Sequence, residues 1–227
     1  MNENVLDSQA LITIGVVDDH QVFTEAMVLV LGKEPILQVV GVAGTCAGAR
    51  DLVERFRPNV LLLDVALPDG DGLKLVPELK RLCPETHILV LTSHSDERTL
   101  LRAIDMGVVG FVGKTQPVSE VLAAILQAAE GEITMPTSLL LGVLARIRHS
   151  HSYDPAELIR APLTLREQEI LVRMAQGKSN AVIAAELNIS LMTVRTHSRN
   201  LLQKLGAHSR LEAVAFALRQ GLIDPPV

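Results

Sequence analysis

The chain has 227 residues and a formal net charge of −5, length enough for one large domain or two small ones. No apolar run reaches the length of a membrane-spanning helix, and Met1-Asn2-Glu3-Asn4 lacks the basic flank and apolar region of a secretory signal. Four Phe, one Tyr and no Trp leave no aromatic platform for stacking single-stranded bases.

Charge is unevenly distributed. Residues 1–137 carry 10 Lys/Arg against 19 Asp/Glu, whereas residues 161–227 carry 8 against 5. An acidic front joined to a mildly basic tail points to a polyanionic partner for the tail alone. Cys46 and Cys83 show no metal-binding spacing and suit a reducing, cytoplasmic setting as buried thiols.

In chain order, Leu11 to Val17 reads as a buried strand ending in Asp18-Asp19, and Val22 to Leu31 as a helix. Ile36 to Ala43 is a second strand and Cys46 to Phe56 a second helix. Val60-Leu61-Leu62-Leu63 is too short an apolar run for a helix and reads as a fully buried strand, closed by Asp64 and turned by Pro68, Gly70 and Gly72. Leu73 to Leu82 is helical, His87 to Thr92 a fourth strand, Asp96 to Asp105 a helix and Val108 to Val112 a fifth strand. Pro117 opens a helix to about Glu130. Strict alternation of strand and helix predicts an α/β fold, a doubly wound (βα)5 parallel sheet covered on both faces.

This order places Asp18, Asp19 and Asp64 at carboxyl ends of strands, where open α/β sheets keep their ligand crevice. Three acids converging there repel unless a cation sits among them, and oxygen ligands with spare water positions suit Mg²⁺. An ionised Asp is also a nucleophile toward phosphorus. Thr92 and Lys114, at the ends of strands four and five, supply a hydroxyl and a cation for phosphoryl oxygens. Each residue alone has an ordinary explanation; four strand ends together point to phosphoryl transfer. The run Gly107 to Thr115 superficially looks like a phosphate-binding Walker loop, but five residues separate Gly107 from Gly113 where the motif needs four, and they read as strand.

Val17-Asp18-Asp19-His20, Leu63 to Gly72, Leu91-Thr92-Ser93 and Gly110 to Lys114 together resemble a response-regulator receiver domain over residues 11–131. The resemblance implies Asp64 as phosphoacceptor, Asp19 and the Ala66 carbonyl as direct Mg²⁺ ligands, Asp18 as a ligand mainly through water, and Thr92 with Phe111 as a switch pair whose ring turns inward. Leu67 stands where the family usually has Met. Thr115 stands where many receivers carry a Pro in a cis bond, and a cis bond before Thr costs about 3 kcal/mol.

Residues 136–149 read as a short amphipathic helix, and His149 to Pro155 as a linker. Thr164-Leu165-Arg166-Glu167 is a capping box opening a helix to about Gln176, closed by Gly177. Ser179 caps Asn180 to Leu187, Ser190 caps a helix to Leu205 stopped by Gly206, and Ser209 to Glu212 is a second capping box opening a helix to Gln220. A short helix, a tight turn and a longer helix make a helix-turn-helix. In the longer helix Val194, Leu201, Leu202 and Leu205 form the apolar side, with Thr193, Arg195, Thr196, Arg199 and Asn200 opposite. Leu163 to Glu167, Gly177 to Asn180, Ile183-Ala184, Ile189-Ser190, Thr193 to His197 and Lys204 to Gly206 resemble the LuxR-type DNA-binding domain of NarL/FixJ regulators over residues 163–221. That resemblance implies Arg195, Thr196 and Arg199 as readers of base edges, and Ser179, Asn180, Thr193 and Lys204 as phosphate contacts.

The expectation is a cytoplasmic two-component response regulator with a receiver over residues 1–134, a link over 135–160 and a DNA-binding domain over 161–227. A sensor histidine kinase phosphorylates Asp64, and the chain then pairs as a homodimer on double-stranded promoter DNA. It is not an enzyme beyond its own Mg²⁺-dependent phosphoryl turnover. Two rivals differ in class. An aspartyl-phosphate phosphatase needs a second Asp two residues after the nucleophile, where this chain has Ala66. A receiver that only dimerises would have no use for the full acid set.

Overall fold

The computed structural model describes residues 11–92, 97–135 and 161–224. The helix expected over 136–149 and the linker after it lie outside the described residues. Five strands, β1 (Ile12–Val17), β2 (Leu37–Ala43), β3 (Val60–Asp64), β4 (His87–Thr92) and β5 (Gly110–Gly113), form one all-parallel sheet in the order β2-β1-β3-β4-β5. Between them run α1 (Gln21–Leu31), α2 (Cys46–Phe56), α3 (Gly72–Leu82) and α4 (Glu97–Asp105), with α5 (Val118–Ala129) after the last strand. The alternation of β3 sorts its side chains. Leu61 and Leu63 join the core under α2, α3 and α4, while Val60 and Leu62 join the core under α1 and α5. Burial on both faces is why this strand is apolar throughout.

Strand order reverses between β1 and β3, so the crevice lies at their carboxyl ends, as expected. Two features were not legible beforehand. Ala66–Leu67 and Gly70–Asp71 pair as a two-residue antiparallel ladder inside the turn after Asp64. β5 starts two residues later than the apolar run: Met106 and Gly107, the latter at φ +85°, turn the chain, and Val108 and Val109 lead into the first paired residue, Gly110. Gly72 opens α3 so close to the preceding strand that a Cβ there would lie 2.0 Å from the Asp64 carbonyl oxygen. Only glycine permits that approach. The Lys114–Thr115 bond is trans.

Beyond α5 the chain returns to the sheet. Thr134 bridges to Gly110, donating its N–H to the Val109 carbonyl (3.1 Å) and accepting from the Phe111 N–H (2.8 Å).

The second unit has the four helices expected: α6 (Leu165–Ala175), α7 (Asn180–Leu187), α8 (Leu191–Leu205) and α9 (Arg210–Arg219). The first capping box forms, with Thr164 Oγ1 accepting from the Glu167 N–H (3.3 Å) and Glu167 accepting from the Thr164 N–H (2.8 Å). The second is half made. Ser209 Oγ accepts from the Glu212 N–H (3.1 Å), but Glu212 reaches one residue further back, to the His208 N–H (2.6 Å). Asn188 closes α7 in the left-handed region at φ 51°, a conformation Asn tolerates, and this sets the turn into α8. Ile170, Leu171, Ile183, Val194, Leu201, Leu205, Leu211 and Val214 fill the centre.

Candidate functional site

The acidic crevice is built from strand ends. Asp64 terminates β3 with 5 % of its surface exposed, and Asp18 follows β1 with 2 %. Lys114, just past β5, places its ammonium 2.6 Å from Asp18 Oδ2 and 2.7 Å from Asp64 Oδ2. Its backbone N–H donates to the Thr92 carbonyl (2.9 Å), so β4 and β5 together aim it. Burial works to lower the Lys114 pKa, but the hydrogen bonds to Asp18 and Asp64 prevail and hold it above its ordinary value. Lys114 stays a cation in contact with the acid expected to receive the phosphoryl group.

Asp18, Asp19, His20 and Asp64 each offer a ligand atom within 4.8 Å of the others. The carboxylates form an oxygen-rich set suited to a hard divalent cation, so the residues fit Mg²⁺. His20 was missed in the sequence. Its ring Nδ1 lies 2.8 Å from Asp19 Oδ1 and 3.0 Å from Asp18 Oδ1. Adjacency to the acid pair was the one available signal. Ala66 sits on the exposed lip of the crevice, with its N–H 3.4 Å from Asp64 Oδ1. Phe111 is already buried at 7 % exposure in the core shared with Leu100 and Ala103, so the inward position is the one seen.

Two nearby acids are structural. Asp69 accepts from the Cys46 N–H (2.7 Å) and the Ala47 N–H (3.1 Å) at the start of α2, and these bonds hold its carboxyl below the usual range. Asp71 caps α3 through the Leu73 N–H (2.9 Å) and pairs with Arg102 (2.7 Å).

The basic surface is carried by α8. Val194, Ser198, Leu201 and Leu205 are its buried row, while Arg195, Thr196, Arg199 and Asn200 are exposed. Leu202 is only half-buried; Ser198 takes the inward place instead. Ser190 caps the helix, its Oγ accepting from the Thr193 N–H (3.0 Å) and lying 2.8 Å from Thr193 Oγ1. Ser179 caps α7 through the Val182 N–H (3.3 Å). Two expected phosphate contacts face inward. The Asn180 side chain is buried, accepting from Arg210 Nη1 (3.2 Å), which leaves its backbone N–H as the group on offer. Lys204 donates to the buried Glu167 carboxylate (2.7 Å) and the Pro162 carbonyl (3.1 Å), pinning the start of α6.

The acidic half reaches these same groups. Glu130, just past α5, pairs with Arg195. Glu132 accepts from the Asn180 N–H at 2.8 Å. Arg219 of α9 meets Asp105 of α4 (2.6 Å), and Gly107 lies against His208 and Glu212. Glu130 and Glu132 were invisible as partners because 65 and 48 residues separate them from Arg195 and Asn180.

Comparison with known proteins agrees with both halves. Residues 14–126 match the response regulator receiver domain family, and residues 161–217 match the luxR family of bacterial regulatory proteins. The chain is 35 % identical over 210 residues to the uncharacterized transcriptional regulatory protein YhcZ of Bacillus subtilis, covering 92 % of this chain and 96 % of that one. It is also 35 % identical over 207 residues to the Mycobacterium tuberculosis protein described as "Probable transcriptional regulatory protein NarL", covering 91 % and 94 %. Among solved structures, the signal receiver domain of NarL from Mycobacterium tuberculosis superposes with a TM-score of 0.52 at 29 % identity, over 54 % of this chain and 99 % of that one. RcsB from Salmonella enterica, solved on promoter DNA, shares the fold with a TM-score of 0.54 at 23 % identity, over 92 % and 98 %.

Proposed function

The chain belongs to the two-component response regulators that join a receiver to a LuxR-type DNA-binding domain, and from that premise we propose the working of its own residues. The protein regulates transcription. Asp64 attacks the phosphorus of a phosphohistidine on a sensor kinase; the P–O bond to Asp64 forms as the P–N bond breaks and the imidazole leaves. Lys114, already 2.7 Å from Asp64, neutralises charge on the transferred group, and Thr92 donates to one of its oxygens. Asp19, Asp64 and the Ala66 carbonyl would hold Mg²⁺, with Asp18 mainly through water, and the bound ion would supply neutralisation of charge on the phosphoryl oxygens. Receiver, link and DNA-binding unit divide at 134 and 161, and the protein works in the cytoplasm; among the described residues no helix is long and apolar enough to cross a membrane.

The observation that carries this reading is the Lys114 ammonium held between Asp18 and Asp64 at the strand-order reversal. Phosphorylation draws Lys114 and Thr92 toward the new oxygens, repacks the α4–β5–α5 face and loosens the neighbouring contacts at Glu130 and Asp105. Freed chains pair, because a mildly basic domain gains affinity from two-fold placement on two half-sites. Beryllofluoride with Mg²⁺ should double the mass in solution. A chain that stays monomeric under those conditions would remove phosphorylation as the trigger.

On DNA, Arg195, Thr196 and Arg199 face base edges. Ser179, the Asn180 N–H and Thr193 face phosphates, with the remaining donor of Lys204. Arg199→Ala should cost about 1–3 kcal/mol on the preferred sequence and little on random DNA; an equal loss on both would make it a phosphate contact. The double substitution Glu130→Gln, Glu132→Gln should raise DNA affinity of the unphosphorylated chain about threefold to tenfold, as befits one half-exposed ion pair and one hydrogen bond to a backbone N–H. Anisotropy titrations on the preferred sequence read it, and no change would mean that these acids do not compete with DNA.

A further inference from the structure

The exposed row of α8 starts one turn earlier than the three readers. Met192, Arg195, Thr196 and Arg199 follow the i, i+3, i+4, i+7 spacing of one helix face, and all four are exposed. Met192 is 66 % exposed, a large apolar side chain at the head of a row of cations and hydroxyls. It belongs to neither buried core cluster nor to the half-buried residues packed on them. Its carbonyl accepts from Thr196 Oγ1 (2.9 Å), which ties the two residues to the same face. The Ser190 cap and the Ser190–Thr193 contact fix this first turn, so the thioether is presented from an ordered helix end.

We propose that Met192 is a specificity-determining residue that reads the C5-methyl group of a thymine in the major groove. The inference rests on the DNA-binding reading above. Helix-turn-helix proteins set the N-terminal residues of the recognition helix against base edges, and Met192 occupies that turn. Among the groups that base pairs present in the major groove, the thymine methyl is the apolar one; the others are donors and acceptors. An unbranched, polarisable side chain moulds itself to such a group. Met192 precedes Arg195 by three residues, about 4.5 Å of helix rise, against about 3.4 Å between successive bases. Three residues of helix span little more than one base step even if laid along the duplex axis, so the thymine lies within about one step of the base that Arg195 reads, which the guanidinium chemistry marks as guanine.

The test uses the full chain activated with beryllofluoride and Mg²⁺ and a duplex operator obtained by selection from random DNA. Each thymine of the half-site is replaced in turn by uracil, which removes the C5-methyl group alone. One position per half-site should weaken the wild-type chain about three- to fivefold. The same substitution should leave Met192→Ala unaffected, while Met192→Leu keeps most of the sensitivity. Uracil that is neutral everywhere, an equal loss in wild type and Met192→Ala, or a selected half-site without thymine beside the Arg195 base would each overturn the assignment and leave sequence-specific binding intact. A selection that yields no preferred sequence would instead defeat the DNA-binding reading itself.

Discussion

Asp64→Asn is expected to abolish both phosphoryl uptake and the dimerisation that follows it, while leaving the chain folded. The amide is nearly isosteric and sits at the buried end of β3, where it disturbs no apolar packing. It removes the oxygen proposed as nucleophile and one of the two anions that hold Lys114, but Asp18 remains 2.6 Å from that ammonium. Label from radioactive acetyl phosphate should fall to background, and sedimentation with beryllofluoride and Mg²⁺ should show a monomer. Far-ultraviolet circular dichroism should be unchanged. Persistent labelling would move the acceptor to Asp18 or Asp19; persistent dimerisation would uncouple pairing from this site.

Raising pH is expected to weaken the contact between the two halves of the unphosphorylated chain. Glu212 is pushed up from 4.5 to about 7 by burial, against the opposing pull of the His208 N–H, of Lys80 and of Arg219. Part of that cover comes from the receiver: Gly107 lies against the carboxylate, and Lys80 faces it from α3. A carboxyl whose pKa rises on docking takes up a proton in the docked state. Docking is therefore strongest below about pH 4.5 and weakens as pH climbs toward about 7. The full shift corresponds to about 3 kcal/mol, a few hundredfold in the docking equilibrium, as the upper bound when all the burial is owed to docking. Lys80 runs the other way. Its ammonium is buried, donates to the Thr86 carbonyl (2.9 Å) and is pushed down to about 8, so its own effect begins only above the Glu212 window. Amide exchange in α4 and α9, followed from pH 5.5 to 7.5, should speed up beyond its intrinsic dependence in the wild type and stay flat in Glu212→Gln. The same slope in both would place the titrating group elsewhere.

Legibility in the sequence followed the range of the interaction. Strand β3 announced itself because burial on both faces leaves an unbroken apolar run, and β1 and β4 because apolar residues dominate theirs. The helices of the second unit announced themselves because Thr164, Ser179, Ser190 and Gly206 act within one turn of where they stand. Asp18, Asp64, Thr92 and Lys114 could be placed together because strand ends of a parallel sheet converge by topology. Where the deciding partner is distant, the pattern fell silent. Nothing near Lys204 says that it turns to Glu167, 37 residues upstream. Nor does the heptad-like spacing tell Ser198 from Leu202, since the packing of α6 and α7 chooses the inward row. The contacts of Glu130 and Glu132 lie further still, between two units whose apposition no local periodicity encodes.

The return of Thr134 to Gly110 also bears on solubility. A parallel sheet ends in two rims of backbone groups that can recruit a neighbouring chain into a growing ladder. Here the N–H of Phe111 on the outermost strand, and the carbonyl of Val109 just before it, are consumed by residue 134 of the same molecule. At that point the rim is covered from within, and among the described residues the opposite margin, along Leu37–Ala43, carries no such bridge, so edgewise stacking at high protein concentration is expected there first.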